Sequence, residues 1–213
     1  MSEDFQAPET PKKDTRMLAL GLSVAAAVCM IYAGFTHRWL ANGNKHMEYG
    51  FGLRNNFECA TTFEPSDFQM GEPAPDAKPT EECTTRSNAE VVSDFEELEK
   101  TTHEKLASSA FVPAGWVTLV AILLSSLGLL AAAALAWRTI AKDLPVAPTT
   151  IALLGGMVGL ISGCVFVATK PGPPGMVGVG LSFWMFGVGV VMGIVGAQML
   201  AKVIRPPDPE WTE

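Results

Sequence analysis

The chain has 213 residues, a formal net charge of -7 and 48% hydrophobic side chains. An acidic balance has the wrong sign for gripping a phosphate backbone, which excludes nucleic acid as a partner. Four runs free of Asp, Glu, Lys, Arg and His, at residues 17–36, 110–137, 149–169 and 175–201, exclude an ordinary water-soluble domain. Each reaches the length of about 20 residues that a helix needs to cross hydrocarbon, and a soluble fold of this size has too little polar surface to cover all four.

In chain order, residues 1–16 are polar, end in Lys12, Lys13 and Arg16, and read as a tail. The first span, 17–36, follows this basic cluster as the core of a signal peptide would, but its length argues for a retained span. A lipoprotein reading at Cys29 lacks a small residue directly before the cysteine. Residues 37–109 form one large loop. From residue 39 to 109 it holds fourteen Asp or Glu against six Lys or Arg. Its first part, His37 to Cys59, mixes aromatics with turn formers and predicts short extended pieces. Its second part, Phe63 to Cys83, contains Pro65, Pro73, Pro75 and Pro79 and predicts irregular backbone. Its third, Ala89 to Leu106, places Val91, Phe95 and Leu98 three or four apart and predicts a helix, one that could run on into the second span past Pro113.

The second span, 110–137, is longer than a crossing requires and carries a small-residue patch at Ser125, Ser126 and Gly128. The links at 138–148 and 170–174 are short, so spans two, three and four should be antiparallel neighbours. The third span is 149–169 and the fourth 175–201, followed by a tail at 202–213. Basic residues gather before span one, in the 138–148 link and after span four, and the positive-inside rule then puts both termini in the cytoplasm. The large loop becomes extracytoplasmic, in a multi-pass protein of a plasma membrane or a bacterial inner membrane.

Small residues every four positions mark helix faces on which another backbone can approach closely. Gly155, Gly159 and Gly163 make such a stripe in span three, and Gly189, Gly193 and Ala197 make a matching one in span four. The expectation is that these two faces meet. Cys59 and Cys83 share the extracytoplasmic loop, where oxidation is permitted. A structural disulfide there would stabilise the loop by about 2–4 kcal/mol; a redox pair and two unpaired thiols are the other readings. Cys29 and Cys164 lie inside spans and read as packing residues.

Candidates for chemistry are weak. His37, His46 and His103 have no spacing that makes a zinc site, which needs three or four converging ligands, so no metal is expected. His37, Arg38 and Trp39 read as residues of the membrane interface, as do Trp116 and Trp137 at opposite ends of span two. Phe183, Trp184 and Phe186 could contact a quinone or pigment, but nothing in their spacing demands a cofactor, and none is expected. Ionisable groups inside a membrane mark solute or proton pathways, and the four spans carry no Asp, Glu, Lys, Arg or His. There is no P-loop, dinucleotide fingerprint or HExxH motif.

Trp39, the pair Gly52-Leu53 and the cysteines Cys59 and Cys83 resemble the first-loop motif of claudin-like tetraspan proteins: an early tryptophan, a Gly-Leu-Trp segment and two disulfide-forming cysteines. Arg54 stands where the motif has its second tryptophan, and the spacings to the cysteines are longer. The resemblance extends to the order of spans, the cytoplasmic ends and the short second outer loop. It implies a left-handed four-helix bundle with a small outer sheet, and lateral assembly or an accessory-subunit role.

The expected fold is therefore all-α: a four-transmembrane-helix bundle with a disulfide-closed loop containing short strands and a helix. The expected function is a non-catalytic membrane assembly protein or accessory subunit. Its contacts would be the lipid bilayer and either another membrane protein or a second copy of itself. A pore or small-solute transporter, and a membrane subunit of an electron-transfer or enzyme complex, are the alternatives.

Overall fold

The computed structural model describes residues 15–43, 47–62, 68–69, 72–73, 80–138 and 147–204. Four of its helices are long and apolar enough to cross a membrane. They are α1 (Thr15–Phe35), α3 (Phe111–Arg138), α4 (Pro148–Ala168) and α5 (Leu181–Ile204). Their outward flanks are apolar, with Val28, Leu127, Leu154, Ile161 and Val191 all exposed. A bare surface of that kind and extent is unstable in water and stable in lipid.

Between α1 and α3 the chain forms strands β1 (Leu40–Gly43), β2 (Met47–Phe51), β3 (Asn55–Thr62), β4 (Phe68–Gln69), β5 (Glu72–Pro73) and β6 (Thr80–Ser87), then helix α2 (Asn88–Thr102). Strand β7 (Gly178–Val179) lies between α4 and α5. One antiparallel sheet of five strands runs β6-β3-β2-β1-β7, and β4 and β5 make a separate two-stranded ladder. The all-α expectation is corrected by this sheet. Part of the reason is β6. Thr80–Cys83 fall in the stretch expected to be irregular, yet they pair in register with Cys59–Thr62 of β3. Pro65, Pro75 and Pro79 lie outside the described residues.

Helix α2 begins with a capping box: the Ser87 hydroxyl accepts from the Glu90 N–H, and the Glu90 carboxylate accepts from the Ser87 N–H. It does not run on into α3. His103 turns into the left-handed region at φ 58° and donates its N–H to Glu99. The Glu99 carboxylate then accepts the N–H groups of Leu106 and Ala107, holding the linker off the helical path. Pro113 sits in the first turn of α3, where a missing N–H removes no helical bond. Helix α5 starts at Leu181 and not at residue 175, because Gly178 and Val179 are drawn into the sheet against Ala41 and Leu40.

In the bundle, α4 packs chiefly on α3 and α5 chiefly on α1. A Cβ on Gly128 would lie 2.8 Å from the backbone nitrogen of Ala152 and one on Gly155 would lie 2.9 Å from that of Ser125, so α3 and α4 touch backbone to backbone. The Ser125 hydroxyl donates to the Ala152 carbonyl at 2.7 Å, and the Thr118 hydroxyl donates to the Ser162 hydroxyl at 2.9 Å across the same seam. Met30, Ile122, Leu129 and Phe186 are fully buried in the main core. A second cluster joins Ala19 and Leu20 of α1, Ala132 and Ala136 of α3, and Leu200 of α5 at the end away from the sheet. There Arg16 donates to the Ala136 and Trp137 carbonyls at 2.6 and 2.5 Å, as a basic side chain at a helix C-terminus can.

Candidate functional site: the sheet and its seat on the helix ends

The sheet sits on the end of the bundle made by the C-terminus of α1 and the N-termini of α3 and α5. Trp39 is the anchor. It is fully buried, and its indole N–H donates to the Ala33 carbonyl at 2.5 Å, one of the C-terminal carbonyls of α1 with no helical partner of its own. Its ring meets Phe166 edge-on at 6.0 Å and Phe186 at 5.4 Å, while Phe111 stacks on Phe166 at 4.4 Å. Trp39 is thus a core residue and not a membrane-interface one. Its polar neighbours in the sequence, His37 and Arg38, point outward, and Arg38 pairs with Glu48 at 2.8 Å.

Gly52 and Leu53 form the turn between β2 and β3, pressed onto the same helix ends. A Cβ on Gly52 would come within 2.8 Å of the Thr36 carbonyl oxygen. Leu53 is buried at 1% exposure beneath the turn. Arg54 leans back over the Phe35 ring at 5.5 Å, a cation–π contact. The structure therefore brings Trp39, Gly52 and Leu53 to one joint. Several residues that complete this joint were not singled out in the sequence. Asn88 donates from Nδ2 to the Gly52 carbonyl at 2.9 Å, and Asn56 donates to the Gly50 carbonyl at 2.9 Å. Gly180 donates its N–H to the Trp39 carbonyl at 2.8 Å, and the Thr36 hydroxyl donates to that of Ser182 at 2.6 Å. Each looks locally like an ordinary polar or turn residue; only the tertiary register gives it a partner.

Cys59 and Cys83 are disulfide-bonded and stand directly opposite in the β3–β6 register, on the face of the sheet that also carries Glu48. The nearby Glu81 carboxylate completes a trio within 4.8 Å. Sulfurs bonded to each other are not thiolates, so this trio lacks the donors a metal needs. His37 and His103 are exposed and apart from it, and His46 lies outside the described residues.

The glycine stripes serve different neighbours from those expected. Gly155 faces Ala121 and Ser125 of α3. Gly159 meets Phe186 and Ala121, and Gly163 meets Trp39, Phe186 and Thr118. Gly189 and Gly193 face Ala26 and Met30 of α1, with Leu129 also against Gly193, and Ala197 is buried. The two stripes do not interdigitate, because α5 turns its small face to α1 and offers α4 the ring of Phe186. Phe183 and Phe186 are turned toward Trp39, whereas Trp184 is 64% exposed on the flank.

The sheet and α2 carry most of the described charge. Arg86 bonds Asp94 at 2.6 Å, and that hydrogen bond raises its pKa above the ordinary value. Tyr49 is half-buried on the other face of the sheet from the disulfide. Burial first, and the neighbouring Glu58 charge second, push its phenol up to about 12. The chain matches no protein-family model and no curated protein.

Proposed function

We propose that the chain is a multi-pass membrane protein of claudin-like build. Its sheet and α2 face the outside, both termini face the cytoplasm, and it acts as a non-catalytic assembly protein or accessory subunit. The observation that carries this reading is the filled axis of the bundle. Fully buried apolar side chains occupy it from Phe111 and Phe166 at the sheet end to Ala132 and Leu200 at the other. No Asp, Glu, Lys, Arg or His lies along the apolar length of the helices. A route for a charged solute needs such groups or ordered carbonyls.

What remains available for work is surface. The lipid-facing flanks suit lateral contacts, and the sheet, held to three helix ends, suits recognition. Two features support the claudin-like reading: Trp39 and Gly52-Leu53 share one joint, and a small sheet closed by Cys59–Cys83 sits over four helices. Arg54, in place of an aromatic, turns its guanidinium to Phe35.

The test is purification from native membranes in mild detergent, with parallel reconstitution into liposomes. A second membrane protein, or a second copy, should co-purify at fixed stoichiometry, and liposomes holding the chain alone should show no solute flux. Recovery without detergent, or selective flux by the chain alone, would overturn the reading.

A further inference from the structure

We propose that a hollow between the sheet and the 170–180 turn receives a basic side chain, arginine or lysine, from the extracytoplasmic part of a protein partner. This rests on the assembly reading above and names the chemistry of the contact. The hollow measures about 410 Å³ and is lined by Asn42, Gly43, Met47, Tyr49, Glu58 and Met176.

The register builds one wall. Asn42 lies opposite Tyr49, and Tyr49 opposite Glu58, so the three side chains leave the same face of adjacent strands. Met176 forms the other wall, and that wall is pinned. Asn42 Nδ2 donates to the Met176 carbonyl at 2.8 Å, Lys170 donates to the Val177 carbonyl at 2.5 Å, and Ala41 pairs with Gly178. A ligand therefore meets a site already formed, which limits the ordering that binding requires.

The lining selects for a cation. Glu58 carries the formal charge, and it is partly shielded from water. Among the described residues, Arg38 is paired with Glu48, Lys170 bonds a backbone carbonyl, and Arg86, whose charge reaches Tyr49, is held by Asp94. Among the described residues no ion pair neutralises Glu58. The Tyr49 ring offers a face on which a guanidinium or ammonium group is attracted. The thioethers of Met47 and Met176 are polarisable and adapt to an aliphatic stem. An anion would be repelled by Glu58, and a purely apolar group would leave that carboxylate desolvated without a partner. The acid-rich loop around the hollow favours approach of a positive segment.

The experiment uses the full chain in detergent micelles with methyl-labelled methionine, observed by NMR. The probe is an arginine flanked by two glycines on each side, and the control replaces arginine by citrulline, which has nearly the same shape and no charge. The expected result is saturable shifts of the Met47 and Met176 methyls, with the arginine peptide binding about tenfold tighter than the control. Glu58→Gln should bring the two peptides level, while Glu81→Gln on the far strand leaves the difference intact.

Equal binding of both peptides to the wild-type chain would overturn the proposal. So would a preference that survives Glu58→Gln, or one that disappears with Glu81→Gln. A retained Cys59–Cys83 bond and an unchanged elution volume show that each variant is folded. The two readings fail separately. A partner that co-purifies from membranes while the peptides bind alike removes only the hollow, whereas selective peptide binding with no co-purifying partner keeps the cation-selective hollow and removes the assembly role together with the protein partner assigned to it.

Discussion

The carbonyl oxygen of Leu53 rests on Gly115: a Cβ at that glycine would lie 2.2 Å from it. The β2–β3 turn is thereby set against the first turns of α3 with no space for a methyl group. We expect Gly115→Ala to destabilise the protein by about 1–3 kcal/mol, the usual range for forcing atoms into a packed site. Thermal unfolding in detergent measures this, and an unchanged midpoint would show that the turn is not seated there.

Trp39 should separate two contributions. Trp39→Phe keeps an aromatic ring but removes the indole N–H from the Ala33 carbonyl, which retains the Thr36 hydroxyl as a donor, for an expected loss of about 0.5–1.5 kcal/mol. Trp39→Ala also opens a cavity among Phe166, Phe183 and Phe186, raising the loss to about 3–5 kcal/mol. Chemical unfolding of both variants in the same detergent tests the ranking. Equal losses would mean that the indole N–H contributes nothing.

Replacing Cys59 and Cys83 by serine should loosen the sheet edge and leave the helices in place. The expected loss is about 2–4 kcal/mol. Limited proteolysis of the intact chain in detergent should reveal new cuts between the two cysteines, with α3, α4 and α5 still protected. An identical cleavage pattern before and after substitution would argue that the strand pairing alone holds β6.

Helix faces can be told apart by bulk. Gly155→Leu forces a side chain into the Ser125 backbone, whereas a Cβ on Gly187 meets nothing within 4 Å. The first change should destabilise by at least about 1–3 kcal/mol, and the second should be silent. Comparable effects at both positions would contradict the assignment of the seam. In the same way, Gly189→Leu should weaken a cysteine crosslink engineered between α5 and α1 more than one between α5 and α4.

Tyr49 gives a pH signature. Its phenol is raised in the folded protein from 10.0 to about 12, by burial and then by Glu58. Between those values the unfolded chain loses a proton that the folded chain keeps. Stability contributed by the neutral phenol is therefore fully present below pH 10 and falls away as pH rises through about 12. In a Tyr32→Phe background, ultraviolet titration should place the remaining phenol near 12, and Glu58→Gln should lower it. A transition at the ordinary tyrosine value would remove the burial.

The long helices were legible because their signal is local: uncharged runs of sufficient length, ended by Lys170-Pro171-Gly172 and similar breaks. The strands of the first loop part were legible for the same reason, through aromatics alternating with turn formers. Strand β7 was not, because Met176–Gly180 is as apolar as the helix after it, and only the partner Leu40-Ala41 makes it a strand. Trp39 was misassigned because tryptophan beside polar residues describes an interface as well as it describes a lid on a core. The glycine stripes announced close approach but could not name a partner. Periodicity gives the face of a helix, whereas the neighbour depends on how the whole bundle closes.

Trp39 and the strand β1 that follows it are tied to two neighbouring helices, to α1 through the indole and to α5 through Gly180 and β7. Two tethers on separate pillars forbid swivelling where one would allow it. The angle at which the platform meets anything above it is accordingly dictated by the tilt of the columns beneath, and a load applied from above is delivered to α1 and α5 together.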